Sequence, residues 1–433
     1  MKSITSRFVS SLRSEPEYTK EVALLRRTSP LTADLASADG LRQALRFFAR
    51  ERAWINAQHL ELCRIPAPTF FEQKRAAWML EQFRGMGADA KLDRAGNVIC
   101  FPYGDPGGQN LIAVTAHLDT VLAPRQNDDI RIGPDGKFYG PGVADNGAGL
   151  TGLLALARAL RDEPIDHLGG ARIVLCANVG EEGEGNLSGM RYLCRQSSLA
   201  TRLETFLVLD GPGAAHITSK ALGSRRFEIV LTGPGGHSWA DFGVANPIHA
   251  LSQVVASFAA LFTTGEPRAS FNFGIIEGGA SINSIPTEAR AKLDLRSEST
   301  HRLDELAEML TDCVERALEI ENSRIPPFPG KPPRVTAKLR EIGFRPGGAL
   351  SADSALLGAL HAVDNFLGIR SLPDCASTDA NIPLSLGLPA VSIGAGGQGG
   401  GAHTPGEWFH PENRDLALRR VLLTLAHLLQ NPS

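Results

Sequence analysis

Six side chains that can bind metal ions or move protons recur at the ends of apolar stretches: His117, Asp145, Glu181, Glu182, Asp210 and His403. The first follows Leu111–Ala116, LIAVTA, which reads as a buried strand opening onto His117-Leu118-Asp119. Alternation along a strand puts His117 and Asp119 on one face, so the carboxylate can hold the imidazole and fix its tautomer. Arg172–Ala177 delivers Glu181 and Glu182 in the same way, and Thr205–Leu209 delivers Asp210. Asp145 ends a Gly- and Pro-dense loop before an apolar helical run, and His403 follows a glycine loop. Taken singly, each has a bland reading: a core histidine, a helix-capping aspartate, a solvated acidic pair, an incidental loop histidine. Taken jointly, they form a nitrogen and oxygen ligand set without a thiolate, suited to zinc, manganese or cobalt. One ion needs three or four ligands. Six groups fit two ions bridged by a carboxylate, with one carboxylate left free as a base. The Gly140–Gly149 loop lacks both the GxGxxG order and the Walker lysine, which argues against a phosphate cradle there.

The elements that must position these groups alternate between strand and helix, an α/β pattern. One helix is expected from Gly40 to about Arg64, and a second, capped by Thr69, to about Met86. Hairpins are expected around Arg94–Asn97 and Gly133–Gly136, and a helix over Leu150–Leu160. From Gly223 the order becomes βαββαβ, the ferredoxin-like plan, ending with a strand near Val335–Leu339. The expected organisation is therefore an extension (1–40), a first catalytic part (41–222), an inserted domain (223–340) and a second catalytic part (341–433). The extension is expected to dock loosely.

Composition narrows the partners. A formal net charge of −3 gives no broad basic field for nucleic acid or an anionic membrane. The six cysteines are scattered without a C-x-x-C pair, which suggests reduced thiols. With neither an apolar leader nor a membrane-length run, a cytoplasmic protein is expected.

The stretches AHLDTV, GVADNGAGL, NVGEEGEGNLSG, LVLDGPG, GGHSWADFGVANPIHAL, SINSIPTEARAKLDLRS and STDANIPLSLGLPAVSIGAGGQGGGAHT occur in this order between Ile65 and Trp408. Together they resemble the dinuclear zinc metallopeptidases and amidohydrolases that include peptidase T, carboxypeptidase G and aminoacylase-1, most of all the peptidase T-like branch. The resemblance implies a catalytic domain with a mixed central sheet flanked by helices, and an inserted ferredoxin-like lid and dimerisation domain. It implies two zinc ions, with manganese or cobalt as alternatives. His117 and Asp210 would hold one, Glu182 and His403 the other, and Asp145 would bridge them. Asp119 would orient His117, and Glu181 would serve as base toward a metal-bridged hydroxide. His237, in GGHS, would reach the partner subunit's active site of a homodimer and stabilise the oxyanion. Asn283 and Arg296 match substrate-contacting positions, Arg296 through a carboxylate; the bland readings are a turn before Pro286 and a surface charge. The implied substrates are short peptides, with N-acyl amino acids as the alternative. A reading of another class is an inactive dimeric binding module, against which the intact ligand set argues.

Overall fold

The computed structural model describes residues 30–108, 110–163, 165, 170–325 and 334–430. Its larger body is built on a nine-stranded mixed sheet. The strand order is Asp89–Leu92, Val98–Phe101, Ile173–Asn178, Leu111–His117, Leu203–Leu209, Ala390–Ile393, His216–Ala221 and Gly348–Ala349, with Leu372–Ala376 also paired to His216–Ala221. The four central strands run parallel, so they end together at one edge of the sheet. Every residue of Leu111–His117, Ile173–Asn178 and Ala390–Ile393 is buried, as expected of strands covered on both faces. Helices supply both covers. Gly147–Asp162 and Arg414–Gln430 pack their apolar surfaces on one face; Ser188–Arg195 and Asn381–Ser385 lie on the other. Burial of this apolar surface is what holds the sheet and its helices together.

The expected helix from Gly40 to Arg64 is two helices, Asp39–Arg50 and Arg52–Cys63, interrupted at Glu51 (φ −94°, ψ 19°). Of the expected loose extension, residues 1–29 lie outside the described residues. Pro30–Ser37 is a helix packed on Arg414–Gln430, with Leu35 buried. Among the described residues no helix is long and apolar enough to cross a membrane.

A second sheet, fully antiparallel, has the order Ala269–Gly278, Glu288–Ser297, Gly223–Thr232 and Thr336–Arg345. Helices Pro247–Leu261 and Thr300–Ser323 cover one face and share a separate apolar core with it, including Ile229, Leu231, Val254, Phe258, Leu295 and Leu310. Each helix starts on a side-chain cap: Asn246 accepts from the Ile248 N–H and Ser299 from the Arg302 N–H. The last strand runs on to Arg345, past the expected end near Leu339. That extension carries Arg345 into the first body.

Candidate metal centre

The parallel strands deliver their terminal residues to one place. His117, the last residue of its strand, is paired in register with Asn178, from which Glu181 and Glu182 follow. Asp210 follows Leu209 and donates its N–H to the Ile393 carbonyl at 3.0 Å. His403 lies beyond the loop that leaves Ile393. Asp145 arrives from the loop before the Gly147–Asp162 helix. That loop turns at Gly142 (φ +75°), where a Cβ would stand 2.5 Å from Thr120 Cγ2.

The capping role open to Asp145 belongs to its neighbour. Asn146 Oδ1 accepts from the Gly149 N–H at 3.0 Å, and its Nδ2 donates to the Leu209 carbonyl at 2.8 Å. This leaves the Asp145 carboxylate free to face the site. Its Oδ1 lies 3.1 Å from His117 Nε2 and its Oδ2 lies 3.0 Å from His403 Nε2. Asp210 Oδ1 stands 3.7 Å from His117 Nε2, and Glu182 Oε1 stands 2.8 Å from His403 Nε2. Three groups of potential ligands have their donor atoms within 4.8 Å of one another: His117–Asp145–Asp210 and Asp145–Glu182–His403, which share Asp145, and His117–Glu181–Glu182.

The acidic pair is not a solvated one. Glu181 and Glu182 are 5% and 7% exposed, and His117 is 1% exposed. The carboxylates and imidazoles of the cluster shift one another's protonation. Burial alone would lower the His117 pKa, but Asp119, Asp145 and Asp210 outweigh it and hold the imidazolium well above its usual range. His403 is pushed up to about 10 by its hydrogen bonds to Asp145 and Glu182. For Asp145, burial works against ionisation, yet the two histidines hold it charged far below the ordinary carboxylate range. The nitrogen and oxygen donor set fits divalent ions, whose binding would displace the protons from the two imidazoles.

Asp119 meets His117 with both its backbone and its side chain. His117 Nδ1 donates to the backbone carbonyl of Asp119 at 2.9 Å, while the carboxylate Oδ1 stands 3.6 Å away. The carboxylate also accepts from Thr69 Oγ1 at 2.9 Å and from the Glu181 and Glu182 N–H groups at 3.0 and 2.9 Å. Asp119 therefore holds the imidazole through its carbonyl and the charge of its carboxylate, and the same carboxylate holds the acidic pair. Thr69 consequently caps no helix; the helix begins at Gln73 with Glu72 before it.

Glu181 has its own partner. Arg345, 6% exposed, donates from Nη1 to Glu181 Oε1 at 3.0 Å and from Nη2 to the Glu181 carbonyl at 2.5 Å; its Nη1 also reaches Ser377 Oγ at 3.2 Å. Burial pushes the Glu181 carboxyl well up, while Arg345 and His117 pull against it. The sequence reading missed Arg345, because an arginine at the end of a half-exposed strand gives no local sign of burial.

These groups line a cleft of about 300 Å³ together with Val121, Arg226, Arg296, Arg345 and Ser377. Arg296 and Arg226 share one carboxylate: Arg296 Nε donates to Asp294 Oδ2 at 2.7 Å, and Arg226 Nε to Asp294 Oδ1 at 3.0 Å. His237 and Asn283 are not among the residues lining this cleft. They adjoin one another on an exposed ribbon, where the Ser238 N–H donates to the Asn283 carbonyl at 3.0 Å.

Residues 113–431 match the family model of peptidase family M20/M25/M40. The chain belongs to this family. It is 26% identical over 213 residues to an acetylornithine deacetylase of Yersinia pseudotuberculosis, covering 45% of this chain and 52% of that protein. It is 24% identical over 290 residues to a cytosol non-specific dipeptidase of Escherichia coli, covering 60% and 56%. The chain spans about half the length of these curated relatives. Its fold matches that of aminopeptidase PepT from Bacillus cereus, with a TM-score of 0.66, 18% identity, and coverage of 86% of this chain and 98% of that one.

Proposed function

We propose that this M20 chain is a two-metal hydrolase that cleaves the peptide bonds of short peptides. The observation that carries the reading is the pair of ligand triads sharing Asp145, with the buried Glu181 beside them. Two divalent ions, zinc by preference and manganese or cobalt by the same donor set, would supply Lewis acidity and a water of lowered pKa. His117 and Asp210 would hold one and Glu182 and His403 the other. Glu181 takes the water's proton and passes it to the leaving nitrogen, and its burial suits a group that must carry that proton near neutral pH. Arg345 keeps the base aimed, and Arg296 offers its guanidinium to a substrate carboxylate.

His237 is assigned to the active site of a partner subunit, with the second sheet as lid and dimerisation element. Trp239 and Ala240 donate their N–H groups to His237 Nδ1 at 3.2 and 3.3 Å, so Nε2 carries a proton to give. Neither His237 nor Asn283 lines the cleft of its own chain, and Trp239 and Phe242 beside them are each 87% exposed. The exposed edge strand Ala269–Gly278 is available for pairing.

An N-acyl amino acid amidohydrolase is the second reading, favoured by the deacetylase relative and compatible with the same triads. Elemental analysis of the purified protein, with di- and tripeptides and N-acyl amino acids assayed before and after chelation, tests both. About two ions per chain and chelator-sensitive hydrolysis support the hydrolase, and the substrate series separates peptidase from deacylase. Failure to bind metal on reconstitution rejects both readings and favours the inactive binding module.

A further inference from the structure

We infer that Glu407 is a positioning residue that sets Asp145 against His403 and so fixes the spacing of the two metal sites without touching either ion. The inference rests on the two-metal reading above. Glu407 is 3% exposed and lies four residues beyond His403. Its carboxylate collects three backbone donors from the loop that presents Asp145. Oε1 accepts from the Ala144 N–H at 2.8 Å and the Asp145 N–H at 2.9 Å, and Oε2 accepts from the Gly142 N–H at 2.8 Å. The Gly140 N–H donates to the Glu407 carbonyl at 3.1 Å, which extends the grip by one more bond.

The segment between His403 and Glu407 is short and internally bonded. The Thr404 N–H and Oγ1 donate to the Gly401 carbonyl at 3.1 and 2.7 Å, and the Gly406 N–H donates to Thr404 Oγ1 at 3.2 Å. His403 itself has φ +63° and a half-exposed side chain. Side-chain packing therefore holds it weakly, and the backbone must place it. One five-residue segment thus carries a ligand of its own and clamps the loop of a second ligand that is distant in sequence. The 3.0 Å between His403 Nε2 and Asp145 Oδ2 depends on that clamp.

The side-chain chemistry calls for a carboxylate. Three N–H donors approach from two sides, and both oxygens are used. A glutamine supplies one acceptor, so its NH₂ group faces either the Gly142 N–H or the Ala144 and Asp145 pair, donor against donor.

Cobalt titration of the chelated, full-length protein tests this, read by ions bound per chain and by the visible absorption of the cobalt. Glu407→Gln is compared with the native protein and with Asp364→Asn, which weakens the buried Asp364–Arg420 ion pair between two helices. Groups that orient ligands from outside the coordination sphere typically change metal affinity about 10- to 100-fold. The expected result is a loss of that size and an altered spectrum for Glu407→Gln, with Asp364→Asn lowering only the melting temperature. A native titration and spectrum for Glu407→Gln, or an equal loss of affinity for Asp364→Asn, overturns the inference. Glu407→Asp, which keeps both oxygens one methylene short, carries the same test should the glutamine variant not fold, and partial recovery is expected. A native protein that binds no cobalt rejects the two-metal reading and this inference with it.

Discussion

Replacing Glu181 with glutamine tests its proposed role as base against a role as ligand. The change removes one charge and keeps the shape. Arg345 Nη1 retains an oxygen acceptor at the Oε1 position, 3.0 Å away, and Arg345 Nη2 retains the Glu181 carbonyl. Two stability effects oppose each other. Leaving buried Arg345 without its counter-charge typically costs about 3–5 kcal/mol, offset in part by relief of the cost of burying the Glu181 carboxylate and by the oxygen acceptor the glutamine keeps, so a lowered melting temperature is expected. The two triads that share Asp145 do not include Glu181, although it also stands within ligand distance of His117 and Glu182, so metal content decides between base and ligand. For a base, metal content should stay native. Loss of a general base costs about 10²- to 10⁴-fold in rate, roughly 2.7–5.5 kcal/mol of activation free energy. The assay is kcat and KM on the best substrate of the series, with elemental analysis and a melting curve on the same sample. A variant with both ions bound and activity within tenfold of native refutes Glu181 as the base. Glu182→Gln provides the contrast, since it should lose the ion shared with His403.

Asp119→Asn places an NH₂ where N–H donors now converge; metal affinity should drop about 10- to 100-fold, measured by competition with a chelating dye. Native affinity in that variant would mean that the Asp119 backbone alone orients the site. Asn146→Ala removes a helix cap together with the bond to the Leu209 carbonyl, and should cost about 1–3 kcal/mol in urea unfolding, whereas a loss below a few tenths would contradict the capping role. The chelated protein should lose stability between about pH 7 and pH 10. His117 and His403 titrate above their unfolded value, so their contribution is complete below about pH 6.5 and disappears as pH rises through the folded values, about 10 for His403. Bound metal should reverse the trend, because its ligands must be deprotonated; a melting temperature of the chelated protein that stays flat or rises over this range counts against the protonated cluster.

What was legible in the sequence was local. His117, Glu181, Glu182 and Asp210 could be picked out because buried parallel strands read as unbroken apolar runs and place their next residues at one edge. Asp145 and His403 depended on flexible loops, and only the joint donor set made them candidates. The structure brings all six together. Arg345 and Glu407 were not legible, since an arginine in GFRP and a glutamate in HTPGEW look like surface charges until a distant segment buries them. Thr69 misled for a related reason: its hydroxyl chose the Asp119 carboxylate, 50 residues on, over the helix that follows it. The interruption at Glu51 lies within a continuous apolar periodicity, which records the buried face and not the backbone path.

The second sheet is coupled to the chemistry through the Glu181–Asn186 loop. On one side this loop hangs from Asp119 and from Glu72, which accepts the Gly180 N–H at 3.1 Å. On the other side the second sheet holds it at several points. Arg226 donates to the Gly183 carbonyl, Lys292 pairs with Glu184 at 3.2 Å, the Phe344 N–H donates to Asn186 Oδ1, and Arg345 pairs with Glu181. These links are unequal. Lys292–Glu184 is solvent-exposed and contributes about 0–1 kcal/mol, whereas removing one partner of a buried pair such as Arg345–Glu181 typically costs about 3–5 kcal/mol. A displacement of the sheet sufficient to open the cleft would therefore act first on Glu181. The orientation of Glu181, the proposed base, is thereby tied to the position of the second sheet, with Arg345 as the link.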